Sequence, residues 1–318
     1  MKFKRDFTDY YFNLGFWGRV SNFFPNLSIL DIGLIEFEFS LVYEMKLIYF
    51  SNLEKICFGS FPQEFLTSFS SVIVRRIPVV GSVDRVLSLR EIIFKSSILG
   101  FESLNALSLS IAHPDCLVSL FDLQDCKIEK GVHAIAKMLM SSNILVLNLS
   151  NVCIVGVNWS NNIEEDVGIC ELANALPHSK LVDLNLLNLS IMDNFTNRKL
   201  GEFGRKSLSI LANNLPLSQL VQLNLSANRI ENKECDEIFE NLAFSKIEKL
   251  DLSRNFISHV ERLGEALSHD ECVLSCLDLH ENYVRDDGCC DISKAILNNP
   301  GTSKLVSLDL GRNKIGDI

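Results

Sequence analysis

Seven segments of this chain share one pattern of apolar residues, placed at positions 1, 4, 6 and 11 of an eleven-residue unit. Position 9 is Asn, Cys or another small or apolar residue. In chain order the segments are VSLFDLQDCKI (118–128), ILVLNLSNVCI (144–154), LVDLNLLNLSI (181–191), LVQLNLSANRI (220–230), IEKLDLSRNFI (247–257), LSCLDLHENYV (274–284) and LVSLDLGRNKI (305–315). A unit that recurs in this way restricts the chain to a repeat architecture, in which each coil buries its apolar face against its neighbours.

The residue spacing within and between the segments predicts alternating strands and helices. Apolar residues at positions 4 and 6 alternate with outward residues, which predicts a short β-strand. A helix is predicted in Gly131–Leu139, Gly168–Leu176 and Gly288–Ile296, where apolar residues stand 1, 4 and 8 places after the glycine in all three segments and 5 places after it in the first two. The most closely spaced segments begin 26 or 27 residues apart (118 to 144, 220 to 247 and 247 to 274), which leaves room for one strand and one helix.

A strand and a full helix at this spacing resemble the leucine-rich repeats, in particular the ribonuclease-inhibitor-like subclass. The resemblance implies an α/β fold, a leucine-rich repeat solenoid (horseshoe) with parallel β-strands on the concave face and α-helices on the convex face. It also implies that the position-9 side chain bonds backbone groups of adjacent coils. The match is good over residues 118–315 and weaker over 27–117.

The repeat pattern divides the chain into two predicted domains. Residues 86–318 are leucine-rich repeats, and the last repeat is expected to be incomplete because its helix is missing. Residues 1–85 are an amino-terminal cap with degenerate repeats, which begin near Leu27 and Leu53, or alternatively a small adaptor domain. A further weak copy starts at Leu89.

Two gaps between segments are longer than the others because residues are inserted between the turn and the helix. These insertions, Val155–Glu165 and Met192–Arg205, are polar and are predicted to form loops at the rim between strands and helices. If the insertions have no function, the fold tolerates them because lengthening a loop costs little closure entropy. If they have a function, they extend the binding surface at this rim.

Composition and charge exclude several classes of partner. The formal net charge of −10 argues against binding to a phosphate backbone, so no nucleic acid is expected. No stretch of about 18 apolar residues is present, so no membrane span is expected.

The ten cysteines scatter through repeat positions, and the first residues lack a signal-peptide core. A cytoplasmic location is predicted, with secretion by a bacterium into host cytosol as one route to it.

No catalytic motif stands out, so the chain is predicted not to be an enzyme and to use no cofactor. It contains no phosphate-binding GxxxxGK[ST] loop, no GxSxG elbow and no HExxH helix. Cys272, Cys276, Cys289 and Cys290 lie close in sequence but lack the paired spacing of a zinc site. No metal site is therefore predicted.

The residues at positions 3, 5, 7 and 8 face outward from the strands and form the predicted concave surface. Position 5 is Asp or Asn in all seven segments, and its place in the consensus of this repeat class favours a structural role over a cation-binding ladder. Positions 7 and 8 vary more and are better candidates for specificity. The candidate partner-binding residues are Asp183, Asn185, Gln222, Asn224, Lys249, Asp251, Arg254, Asp278, His280, Glu281, Asp309 and Arg312.

These features predict a non-catalytic protein–protein interaction module that binds a protein partner on its concave face and is itself a monomer. Irregular coils with inserted loops resemble those of bacterial effectors that act in host cells and those of the sensor arms of innate immune receptors. A composition rich in Asn, Ser, Ile and Lys, as encoded by AT-rich bacterial genomes, favours the effector. Two alternatives are the sensor arm of an innate immune receptor and a GTPase-activating protein of the Ran-activator type. The activators typically end in a strongly acidic segment, which this chain lacks.

Overall fold

Two compact units, each built from strand–turn–helix coils, make up the protein. The first consists of Met1–Asn148 and Val152–Val157. The second consists of Leu149–Asn151 and Asn158–Ile318. The computed structural model describes residues 26–32, 52–59, 69–70, 73, 88–129, 131–155, 167–189, 202–298 and 303–316.

The first unit contains a five-stranded parallel sheet, a smaller parallel sheet and two described helices. Its strands are β1 (Ile29–Ile32), β2 (Lys55–Phe58), β3 (Glu91–Phe94), β4 (Ile98–Leu99), β5 (Leu120–Asp122), β6 (Lys127–Glu129), β7 (Val146–Asn148) and β8 (Cys153–Val155). Its helices are α1 (Phe101–Ile111) and α2 (Val132–Leu139). The larger sheet has the order β1, β2, β3, β5, β7. Strands β1, β2 and β3 lie where the backward extension of the sequence pattern places them.

Phenylalanines fill the core of this unit at positions where later coils carry leucine. The Phe58 and Phe94 rings stack at a centroid distance of 5.0 Å, and Phe94 meets Phe121 edge to face at 6.3 Å. All three side chains are fully buried. Because aromatic side chains bury large areas, the degenerate coils keep a continuous core despite their loss of leucine.

The second unit repeats the same plan with a five-stranded parallel sheet and five described helices. Its strands are β9 (Asp183–Asn185), β10 (Gln222–Asn224), β11 (Lys249–Asp251), β12 (Cys276–Asp278) and β13 (Ser307–Asp309), paired in that order. Its helices are α3 (Val167–Ala175), α4 (Glu202–Asn214), α5 (Asn232–Leu242), α6 (Glu261–Leu267) and α7 (Arg285–Asn298). Pro177 and Pro216 lie in short 3₁₀ turns directly after α3 and α4, where a proline cannot continue the helix.

The predicted α/β repeat architecture is confirmed by this alternation of parallel strands and helices. The three glycine-led helix predictions correspond to α2, α3 and α7. The predicted loop Met192–Arg205 is wrong over its last four residues, because α4 already begins at Glu202. In this first turn Arg205 forms ion pairs with Glu231 and Glu234 near the start of α5, at 3.7 and 3.2 Å, which holds the segment against its neighbour as helix.

Several sequence predictions fall on parts of the chain that the structure does not describe. Residues 156–166 and 190–201, which form most of the two predicted loops, lie outside the described residues. The same holds for most of residues 1–85 and for the predicted boundary after residue 85. The two-domain division and the incomplete last repeat stay predictions.

A ladder of buried asparagines at position 9 ties the coils of the second unit together. The Asn255 side-chain amide donates to the carbonyls of Leu225 and Leu252 at 3.1 and 2.8 Å. Its carbonyl oxygen accepts the backbone N–H groups of Asn228 and Ile230 at 3.0 and 2.9 Å. Asn282 and Asn313 repeat the pattern in the next two coils. The Asn282 amide donates to the carbonyls of Leu252 and Leu279, and its oxygen accepts the backbone N–H of Ile257. The Asn313 amide donates to the carbonyls of Leu279 and Leu310, and its oxygen accepts the backbone N–H of Val284. The bonds confirm the position-9 role that the family resemblance implies.

The first unit pairs the backbone after its strands by a different route. Its position-9 residues include Cys126 and Val152, whose side chains are buried and cannot replace an amide. Burial raises the pKa of the Cys126 thiol to about 12, so it stays protonated. Here the chain after position 9 forms the second parallel sheet, in the order β4, β6, β8. Backbone pairing thus takes the place of the asparagine side chain.

Position 8 has a left-handed backbone in every one of eight successive coils. The φ angles lie between 47° and 58°, although none of these residues is glycine. The residues are Ser96, Asp125, Asn151, Asn188, Ala227, Arg254, Glu281 and Arg312. This sharp turn reverses the direction of the next side chain and allows position 9 to enter the core.

Removing the most extensively bonded asparagine should destabilise the second unit. We expect Asn255→Ala to lower the free energy of unfolding by about 3 kcal/mol, because several buried backbone groups lose their partner. Urea unfolding followed by circular dichroism measures this loss. Asn241→Ala is the matched control, since Asn241 makes one bond, to the Glu237 carbonyl, within its own helix. Equal losses for the two variants would contradict the ladder's role.

Relieving the left-handed turn at Ala227 should stabilise the protein. Alanine in this conformation costs about 1–2 kcal/mol, and glycine avoids that cost while losing more entropy on folding. We therefore expect Ala227→Gly to raise the free energy of unfolding by roughly 0.5–1 kcal/mol. Ala295→Gly, within helix α7, should instead lower it by about 1 kcal/mol. A loss of stability at both positions in urea unfolding would count against a strained turn.

Candidate functional site

An open groove of about 410 Å³ runs across the strands of the second unit. It is lined by positions 3 and 5 of strands β9 to β13 and by position 4 of β10, β11 and β12. Eight of the twelve predicted partner-binding residues lie there: Asp183, Asn185, Gln222, Asn224, Lys249, Asp251, Asp278 and Asp309. Cys276 and Ser307 also line it at position 3 and were not among the candidates, although their outward position in the repeat frame was the signal that could have found them.

The Asp or Asn side chain at position 5 makes the same hydrogen bond in each coil of this groove. Its Oδ1 atom accepts the backbone N–H of position 7, two residues later, at 2.8–3.0 Å. The pairs are Asn185 with Leu187, Asn224 with Ser226, Asp251 with Ser253, Asp278 with His280 and Asp309 with Gly311. An asparagine amide and an aspartate carboxylate serve this turn equally well. The negative charge at Asp251, Asp278 and Asp309 is therefore not required by the backbone.

The groove concentrates negative charge that its own lining leaves largely unbalanced. Four carboxylates line it, and Lys249 is the single cationic side chain among the described lining residues. Burial raises the pKa of Asp278, and the neighbouring carboxylates of Asp251 and Asp309 raise it further. Burial also raises the pKa of Asp183, an effect that Lys249 opposes. A cationic group placed in the groove would relieve this repulsion.

The other four predicted residues lie at the turns beside the groove and form the turn cluster: Arg254, His280, Glu281 and Arg312. Glu281 sits between two arginines, 3.1 Å from the Arg254 Nε atom and in direct contact with Arg312 Nη1. The hydrogen bond from Arg312 and the charge of Arg254 lower the pKa of Glu281. His280 connects the cluster to the groove, since its Nδ1 atom lies 3.7 Å from Asp309.

The cysteines near the carboxyl end do not gather into one site. Cys272 is buried, Cys276 lines the groove, and Cys290 is exposed on α7. Within the described ranges, no group of three or more His, Cys, Asp or Glu side chains is placed to hold a metal ion. In the same residues, no helix combines the length and apolar composition needed to cross a bilayer.

The raised pKa of Asp278 leads to a prediction about stability and pH. Because the folded-state pKa lies above the unfolded value near 3.8, the folded state binds the proton more tightly. The free energy of unfolding should therefore fall as pH rises from 3.8 through the raised folded pKa.

We expect Asp278→Asn, which keeps the turn acceptor, to reduce this fall in urea unfolding compared at about pH 4 and about pH 7. Asp270→Asn, at an exposed loop position, should match the wild type. An unchanged pH dependence in Asp278→Asn would show that burial and repulsion in the groove have no effect on folding.

Comparison with known proteins identifies repeat-containing relatives, although no protein-family model matches this sequence. The chain is 26% identical over 249 residues to human NACHT, LRR and PYD domains-containing protein 14, a match that covers 70% of this chain and 22% of the relative. Human protein 2 of the same series is 34% identical over 104 residues, covering 32% and 10%. Mouse protein 14 is 33% identical over 156 residues, covering 48% and 14%. The chain thus spans about a fifth or less of the length of these relatives.

Among solved structures, an internalin from Listeria monocytogenes matches with a TM-score of 0.45 and 18% identity, over 86% of this chain and 65% of that chain. The recurring coils, the parallel sheets and the asparagine ladder are observed directly in the second unit. Together with the relatives that carry the same repeats, they show that the chain is a leucine-rich repeat protein.

Proposed function

We propose that this chain is a non-catalytic protein-binding module whose groove receives a positively charged segment of a protein partner. The observation that carries the proposal is the row of aspartates at Asp251, Asp278 and Asp309, whose charge the turn does not need. Opposite charge on a partner would speed its approach and fix its orientation. Since the groove is open and crosses five strands, it suits an extended segment of the partner.

The human and mouse relatives support the sensor-arm alternative over the bacterial-effector prediction. Their names combine the repeats with NACHT and PYD domains, and the matched region here is the repeat-bearing part. In this proposal the chain acts as the recognition arm of a larger sensor protein. The effector prediction rests on irregular coils, which sensor arms share, and on amino-acid composition. The cytoplasmic location remains part of the proposal.

A GTPase activator of the Ran-activator type is the alternative from another functional class. A GTP-hydrolysis assay with small GTPases separates it from a pure binder. Acceleration by catalytic amounts of this protein would contradict the binding-module proposal.

Neutralising the groove should weaken binding of cationic peptides without unfolding the protein. We expect Asp251→Asn combined with Asp278→Asn to raise the Kd of a labelled lysine-rich peptide by about tenfold, as for the loss of roughly 1.4 kcal/mol. The affinity of the variant should also depend less on salt. Fluorescence anisotropy titrations at low and high salt measure both effects.

The matched control is Asp270→Asn combined with Glu271→Gln, which removes the same net charge from exposed positions before β12. This control should bind the peptide like the wild type. If both double variants lose affinity equally, the peptide responds to net charge and not to the groove.

A further inference from the structure

The turns of the second unit present a second surface, which the groove does not include. Position 9 points into the core in three adjacent coils, where Asn255, Asn282 and Asn313 are buried. The residues on either side of it, at positions 8 and 10, therefore project outward. Position 8 supplies Arg254, Glu281 and Arg312, and position 10 supplies Phe256, Tyr283 and Lys314. These six residues are the turn face.

Two exposed aromatic rings and a lysine form one column of the turn face. The Phe256 and Tyr283 rings lie 6.2 Å apart, while 43% and 37% of their residue surfaces stay exposed. The Lys314 ammonium lies over the Tyr283 ring, 4.9 Å from its centroid. This contact fixes the ring and leaves apolar surface open to solvent.

The other column carries more guanidinium donors than its single carboxylate can use. Arg254 directs Nε to Glu281, and Arg312 directs Nη1 to the same carboxylate. Their side chains remain 63% and 74% exposed. Because a guanidinium has five N–H donors, each arginine retains donors for an incoming carboxylate. With Lys314 included, three cations on the turn face meet one anion, Glu281.

We propose that the turn face binds an acidic protein segment that carries aromatic side chains. Its carboxylates pair with Arg254, Arg312 and Lys314, and its rings pack on Phe256 and Tyr283. Charge complementarity selects this occupant, since the turn face is the positively charged neighbour of an acidic groove in a chain of net charge −10. Nucleic acid carries a negative charge on every nucleotide and would meet the groove carboxylates at Asp278 and Asp309 as well as the three cations, which favours a peptide with few carboxylates over nucleic acid. The proposal does not depend on occupancy of the groove.

The test uses a labelled peptide of alternating glutamate and phenylalanine, titrated with the full chain in fluorescence anisotropy. Arg254→Glu combined with Arg312→Glu, and separately Phe256→Ala combined with Tyr283→Ala, should each weaken binding about tenfold. Arg262→Glu is the control, because Arg262 is also exposed and ion-paired but lies on helix α6. It should leave the affinity unchanged.

Three further probes distinguish binding at the turn face from binding in the groove and from attraction by charge alone. A peptide of alternating glutamate and alanine should bind weakly. Binding of a peptide of alternating lysine and phenylalanine should be unaffected by the turn-face variants. The groove variant Asp251→Asn with Asp278→Asn should not weaken binding of the glutamate–phenylalanine peptide. Thermal melts check folding, and the exposed aromatic pair provides the test if the double charge reversal does not fold. Equal binding of the glutamate–alanine peptide, tighter binding of oligothymidylate, or no effect of the aromatic pair would overturn the proposal.

Discussion

The need to pair buried backbone groups at the turn after each strand determines much of this structure. In the coils of the second unit from residue 220 onward, a position-9 asparagine meets that need; the Asn255 side chain, for example, bonds carbonyls and N–H groups in two coils. In the first unit, where position 9 holds Cys126 or Val152, a second parallel sheet takes over. Buried backbone donors left unpaired in an apolar core would lower the free energy of unfolding.

The same turn determines which side chains are available for recognition. When position 9 turns inward, the left-handed residue at position 8 and the residue at position 10 are left outside. Position 5 completes the geometry by accepting the backbone N–H of position 7. Surface and core are therefore set by one local conformation that recurs from coil to coil. As a result, charged residues far apart in sequence, such as Arg254 and Arg312, reach the same carboxylate.

The repeat pattern alone is sufficient to predict the strands of the two five-stranded sheets, the glycine-led helices and most of the groove, because inward and outward positions follow directly from periodicity. It could not predict the pairing of Arg254 and Arg312 with Glu281, since a periodic pattern gives the direction of a side chain but not its contacts in the next coil. It also missed the second sheet and the left-handed turn at residues such as Ala227, which local sequence disfavours and the surrounding coil imposes. The early start of α4 depended on ion pairs with another helix.

Because Asp and Asn at position 5 make the same hydrogen bond, the charge of the groove can vary without a change in the fold. Asn185 and Asn224 make the turn that Asp251 and Asp278 make, so each coil is a site where charge can be switched on or off while the backbone stays the same. Five coils with two states each give a family of potentials on one scaffold. Such a surface can acquire a new partner by substitution of aspartate with asparagine, or the reverse, with no change in the leucine core.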